Sequence, residues 1–185
     1  MSGFSITIEP GISTDPGYMI ETDRLKIIPL SSEQLLLYVN SDHGFEKQFE
    51  LHSFPRFFTP ELIQTLEHGI IPALKNPKKN WLFITLWVII LKKENRVVGD
   101  LFFKGEPDEK GEIEIGYSVY ETHRNRGIMT EAVKGIISWT VHQKNIKAIK
   151  AETLNNNPGS MKVLFNNTFT IQQQKGGTIW LKRVL

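Results

Sequence analysis

The clearest apolar pattern in the chain is helical. Met129, Ala132, Val133, Ile136, Ile137 and Val141 fall on one face of a helix, so an amphipathic helix is expected there. Upstream, Glu112-Ile113-Glu114-Ile115-Gly116-Tyr117-Ser118-Val119 alternates with period two. That pattern predicts a strand with Glu112, Glu114, Gly116 and Ser118 on one face. Residues 81–91 and 96–103 are rich in β-branched and aromatic side chains and flank Lys92-Lys93-Glu94-Asn95, the pattern of two strands and a hairpin loop. A further strand is expected over 146–153, followed by Asn157-Pro158, a good N-cap and first-turn pair for a helix through Met161, Leu164 and Phe165. Residues 168–174, the Gly176-Gly177 turn and residues 178–184 then read as a closing hairpin.

The N-terminal third is less regular. Residues 1–17 carry turn formers and read as an extended lead-in, and 18–30 reads as a first strand. Ser31 and Ser32 can cap a helix bearing Leu35, Leu36, Leu37 and Val39. Residues 41–58 crowd Phe45, Phe49, Phe54, Phe57 and Phe58 around Gly44 and Pro55 and match neither period; they suit a core or the wall of a pocket. Thr59-Pro60-Glu61 opens another helix through Ile63, Leu66, Ile70 and Ile71, which Pro72 should kink or end. The predicted order is β-α-α-β-β-β-α-β-α-β-β. This implies an α+β fold: a single-domain α/β/α sandwich, residues 1–185, around a mixed, mostly antiparallel sheet.

Composition narrows the class. The 185 residues carry a net charge of +2, which offers no argument for nucleic acid. The basic patch of Lys75, Lys78 and Lys79 lacks interleaved aromatics and reads as a solvated helix end. There are no cysteines, so disulfides, thiolate zinc sites and a cysteine nucleophile are excluded together. His43, His52, His68, His123 and His142 show no metal spacing, and no metal is expected. The N-terminus lacks a signal-peptide pattern and the longest apolar run is too short for a membrane helix, so a cytoplasmic protein without a membrane partner is expected.

One turn carries candidate chemistry. Arg124-Asn125-Arg126-Gly127-Ile128-Met129 joins a strand to the amphipathic helix. A helix N-terminus presents unpaired amides and the positive end of the helix dipole, which favour a phosphate. Gly127 permits close approach, and the two arginines add charge. Alone, the turn reads equally well as a helix start with solvated arginines.

Its setting is more specific. Ile20-Glu21-Thr22-Asp23-Arg24-Leu25, Glu114-Ile115-Gly116-Tyr117, the turn itself, then Asn157-Pro158-Gly159-Ser160-Met161 and Phe169 follow in order. This set resembles the GNAT superfamily of N-acetyltransferases over roughly 18–185, and most closely the branch of ribosomal-protein N-terminal acetyltransferases. The resemblance implies that Arg124, Asn125, Arg126, Gly127, Ile128 and Met129 wrap the pyrophosphate of acetyl-CoA. It implies that the strands at 112–119 and 146–153 splay, with the pantetheine arm between them near the backbone of Tyr117 and Val119. Asn157 would touch the arm, cap its helix, or both.

The implied reaction is direct transfer of an acetyl group to a primary amine, on a protein N-terminus or a small molecule, by a monomer or homodimer. An alkylammonium must lose a proton before it attacks, so a base is required. Glu114 holds the family's recurrent acidic position, with Glu112 the alternative on the same face. Leu164 stands where many relatives place a tyrosine acid; Ser160 then becomes the candidate donor to the leaving thiol, unless it serves only its own helix turn. Two departures favour an alternative reading, a CoA-binding regulatory or interaction module with weak or no catalysis. Met129 replaces a small residue beside the turn, and Thr168 replaces a helix-ending glycine whose left-handed conformation Asn167 would tolerate better.

Overall fold

The computed structural model describes residues 5–7, 18–39, 43–55, 58, 60–74, 76 and 78–185. Nine strands among them form one sheet: β1 (Ser5–Thr7), β2 (Met19–Glu21), β3 (Leu25–Pro29), β4 (Leu86–Leu91), β5 (Arg96–Phe103), β6 (Glu112–Val119), β7 (Ala148–Leu154), β8 (Thr170–Lys175) and β9 (Thr178–Val184). The spatial order is β1-β2-β3-β4-β5-β6-β7-β9-β8, antiparallel throughout except for the parallel pair β6–β7. The mixed, mostly antiparallel sheet expected from the pattern is therefore present.

Helices cover both faces. On one lie α5 (Ile128–Val141) and α6 (Pro158–Asn166), whose apolar sides join Trp87, Leu101, Phe103, Ile113 and Ile149 in one core. On the other lie α1 (Ser32–Val39), α2 (Gly44–Gln48), α3 (Pro60–Thr65) and α4 (Ile71–Leu74), over Leu86, Val88 and Ile90. Packed from both sides, β4 is buried at every position, which explains its unbroken apolar run. Trp139 of α5 is fully buried against Trp87 and Phe103, with ring centroids 5.1 and 5.8 Å away.

Four elements differ from the sequence expectation. Residues 18–30 form a hairpin, β2–β3, rather than one strand; Thr22 closes its turn by accepting from the Leu25 amide at 3.0 Å. Residues 81–83 form a short 3₁₀ turn capped by Asn80, so strand begins only at Leu86. The phenylalanine-rich stretch contains α2, with Phe45 fully buried. Pro72 does not end its helix: it stands within α4, and a π-helical turn, Leu66–Ile70, joins α3 to α4 just before it. The wider turn accommodates the ring and the missing donor. Most of the expected lead-in, the Thr59 cap, Phe57 and Lys75 lie outside the described residues; of residues 1–17, only Ser5–Thr7 are described, as β1. Among the described residues no helix is long and apolar enough to cross a membrane.

Candidate active site

The site is made by two strands that part company. β6 and β7 pair from Glu112↔Ala148 to Ile115↔Ala151 and no further. Beyond that point β6 stays on β5 through Val119↔Gly99, and β7 stays on β9 through Leu154↔Thr178. Each strand is held on its outer side, so the inner edge of β6 past Ile115 faces a gap instead of a ladder. The gap opens into a cleft of about 970 Å³, bordered by β6, β7, the start of α5, the first turns of α6 and Leu62 and Thr65 of α3. This is the upper range for a ligand pocket.

The turn before α5 forms one end. Gly127 caps the helix at φ 73°, and Asn125 is also left-handed at φ 60°. A side chain at 127 would meet only ordinary contact with Arg24, so the dihedral rather than space requires glycine. Among the described residues the amides of 125–130 have no acceptor, and the first bond of the helix runs from Glu131 N to Gly127 O at 3.1 Å. Arg124, Asn125, Gly127, Ile128 and Met129 line the cleft. Met129 is 4% exposed and packs into the α5 core, so its length does not crowd the turn.

Arg126 behaves differently. Its side chain turns from the cleft to Glu94 at 2.9 Å, and Glu94 also meets His123 Nε2 at 3.0 Å. The side chain therefore braces the turn, while the Arg126 amide keeps its place among those without an acceptor. A second brace was not foreseen. Glu131 accepts from Thr22 Oγ1 at 2.6 Å, from the Arg24 amide at 2.9 Å and from Arg24 Nε at 2.6 Å, while Arg24 Nη1 donates to Arg126 O at 3.0 Å. Burial raises the Glu131 carboxyl, but these donors outweigh it and hold the group below its ordinary value. The β2–β3 turn thus pins the middle of the loop at Arg126 and the start of α5 at Glu131.

At the other end, Asn157 caps α6 by accepting from Ser160 N at 3.0 Å. The cap uses only the Asn157 oxygen, and the residue also borders the cleft. The Ser160 hydroxyl lies 2.9 Å from the Tyr117 hydroxyl, so α6 and β6 are tied across the cleft by this pair. Burial pushes the Tyr117 phenol up to about 12, with the Ser160 bond acting the other way. Leu164 is fully buried, and the phenol that meets the first turn of α6 is Tyr117 of β6. Thr168 itself takes the left-handed conformation at φ 59°, not Asn167, whose side chain is occupied by the carbonyls of Thr130 and Val163.

The carboxylates are arranged differently from the sequence expectation. Glu114 lies in the closed, paired part of β6, opposite Lys150, and its carboxylate is committed to Lys104. Glu112 is held by Lys182 and by Lys150 at 3.3 Å. Neither borders the cleft, because the strands separate only beyond Ile115. Two other carboxylates do, Glu152 on β7 and Asp100 on β5.

Comparison with known proteins agrees with this geometry. A family model described as acetyltransferase (GNAT) domain matches residues 24–170. The uncharacterized N-acetyltransferase YjdG of Bacillus subtilis is 27% identical over 146 residues, 79% of this chain and 86% of that protein. Among solved structures, the ribosomal-protein-S5-alanine acetyltransferase of Vibrio fischeri superposes with a TM-score of 0.58 at 20% identity, covering 90% of this chain and 96% of that one. RimL, the ribosomal L7/L12 α-N-protein acetyltransferase, in complex with coenzyme A, gives 0.57 at 14% identity, covering 91% and 98%.

Proposed function

The chain belongs to the GNAT acetyltransferase family, and on that premise we propose that it moves an acetyl group from acetyl-CoA to a primary amine by direct attack in a ternary complex. Acetyl-CoA is the co-substrate, as it is for the family; coenzyme A or acetyl-CoA is bound in solved relatives such as RimL and the microcin C7 immunity acetyltransferase MccE. The whole chain, 1–185, is read as one acetyltransferase domain. A single observation carries the placement of the donor: the acceptor-free amides of 125–130 and the unpaired edge of β6 border the same cleft. The amides and the positive helix end suit the pyrophosphate, with Arg124 beside them. The open edge of β6 near Tyr117 and Val119 suits the amides of the pantetheine arm, and Asn157 is placed to meet the arm from α6.

Chemistry follows from that placement. A β6 backbone N–H facing the gap steadies the oxyanion as the amine attacks the thioester carbonyl. The sulfur leaves and takes a proton from Ser160, whose hydroxyl Tyr117 orients and can resupply. Because a thiolate also finds protons in water, Ser160→Ala should lower kcat only about tenfold, less than the roughly hundredfold or more of an indispensable acid–base group. The acceptor is a primary amine, with a peptide N-terminus or a small-molecule amine both within the reading. A thiol-release assay with N-terminal alanine and serine peptides, amino sugars and polyamines tests the function. Turnover of at least one amine is expected; acetyl-CoA binding without any turnover would instead favour the regulatory module.

A further inference from the structure

Asp100 is the most unusual ionisable group in the molecule. It sits in the middle of β5, opposite Val88 of β4 and Ser118 of β6, and is 2% exposed. Its Oδ1 has no hydrogen-bond partner, and no described cation pairs with the carboxylate. Leaving a buried carboxylate without a partner is costly and calls for a use. Asp100 nevertheless borders the cleft, on the sheet face shared with Phe102, whose ring closes over Gly116 so that a Cβ there would fall 2.6 Å from it. Leu62 and Thr65 of α3 complete this half of the cleft, on the opposite side of the sheet from α5 and α6.

We propose that Asp100 receives the acceptor's ammonium and is the base that deprotonates it, the role the sequence had pointed toward Glu114. The proposal rests on the acetyltransferase reading above and names the acceptor half of that same cleft. Its lining sets the buried Asp100 among apolar and neutral groups, with the exposed Glu152 of β7 on the same sheet face, which fits a primary amine on an apolar or neutral stem. The titratable and charged groups elsewhere on the cleft are Tyr117, His123, Arg124, Glu152 and Lys162, and none of them bonds to Asp100. Burial alone pushes its carboxyl up to about 7, a value suited to taking a proton near neutrality.

The step balances. The ammonium gives one proton to the Asp100 carboxylate, and the freed nitrogen pair bonds the thioester carbon. The carbon–sulfur bond breaks with its electrons going to sulfur. The nitrogen's next proton passes to solvent as the amide forms, the thiolate gains one through Ser160, which is restored from solvent by way of Tyr117, and the proton on Asp100 returns to solvent, so one net proton is released per turnover.

The test uses the full chain, acetyl-CoA and the amine turned over best in the panel above. Asp100→Asn should lower kcat/KM on the order of a hundredfold or more and replace the acid limb near neutrality with one set by the amine's own ionisation, with acetyl-CoA affinity unchanged by calorimetry. Asp100→Glu, which keeps an ionisable group, should recover part of the rate and an acid limb below the amine's own. A parent-like pH–rate profile in a folded Asp100→Asn protein would overturn the assignment while leaving the acetyl-CoA cleft intact. A wild-type protein that binds no acetyl-CoA overturns both.

Discussion

Two residues show how single positions set opposing demands of stability and chemistry. Thr168 holds a left-handed backbone at φ 59° although it is β-branched. Thr168→Gly should therefore stabilise the fold by ~1 kcal/mol, seen as a higher urea midpoint, with no change in acetyl-CoA affinity. Asp100 has the opposite meaning. Its folded carboxyl is raised to about 7 from an ordinary 3.8, so the folded state binds a proton that the unfolded state has already lost. Its cost to stability is absent below 3.8, grows as pH rises to about 7 and then levels off. Asp100→Asn should thus be more stable than the parent at pH 8, on the order of 2 kcal/mol after allowing for the amide's own unpaired groups, and the gain should vanish near pH 4. Denaturant titrations at the two pH values check the sign.

Elements decide whether the turn before α5 is rigid. The β2–β3 hairpin supplies Thr22 and Arg24, and both clamp Glu131 in the first turns of α5. Glu131→Gln keeps one acceptor but loses the charge, so it should cost about 1–2 kcal/mol at neutral pH and weaken acetyl-CoA binding severalfold. Since the folded Glu131 carboxyl is lowered, its contribution is full above the ordinary 4.5 and is lost as pH falls through the folded value. The mutant's stability deficit should therefore fade in acid. This clamp also marks the limit of what the sequence disclosed. Elements with strong local signals, such as the alternation of β6 and the stripe of α5, stand where the pattern put them. The turn at Thr22-Asp23-Arg24 has no glycine or proline and depends on a carboxylate 107 residues away, so local reading merged two strands into one. Asp100 was hidden for a related reason. Within Arg96–Phe103 it is one polar residue in an apolar strand, and only the pairing with β6 and the packing of α3 reveal that it faces a cleft. Glu114 stood in a recognisable motif, yet its accessibility depends on where β6 and β7 separate, which only the assembled sheet determines.

For the molecule as a whole, one topological fact organises the rest. A mostly antiparallel sheet contains a single parallel pair, and that pair comes apart halfway because each strand has a better partner on its other side. The result is a preformed cleft with a helix N-terminus at one end, a hydroxyl pair at the Tyr117–Ser160 tie and a buried carboxylate on the sheet face toward α3. Saturating acetyl-CoA should stabilise such a preformed site by mass action, about 2.7 kcal/mol at a hundredfold excess over Kd. The central claim is that the turn from Arg124 to Met129 holds the donor's pyrophosphate. Calorimetric titration of acetyl-CoA into the wild-type protein and into Gly127→Glu tests it most directly, with both shown folded by circular dichroism. The glutamate adds negative charge and a strained dihedral at φ 73°, so wild-type binding with none detectable in the variant is the predicted result. Equal affinity in the two folded proteins would contradict it.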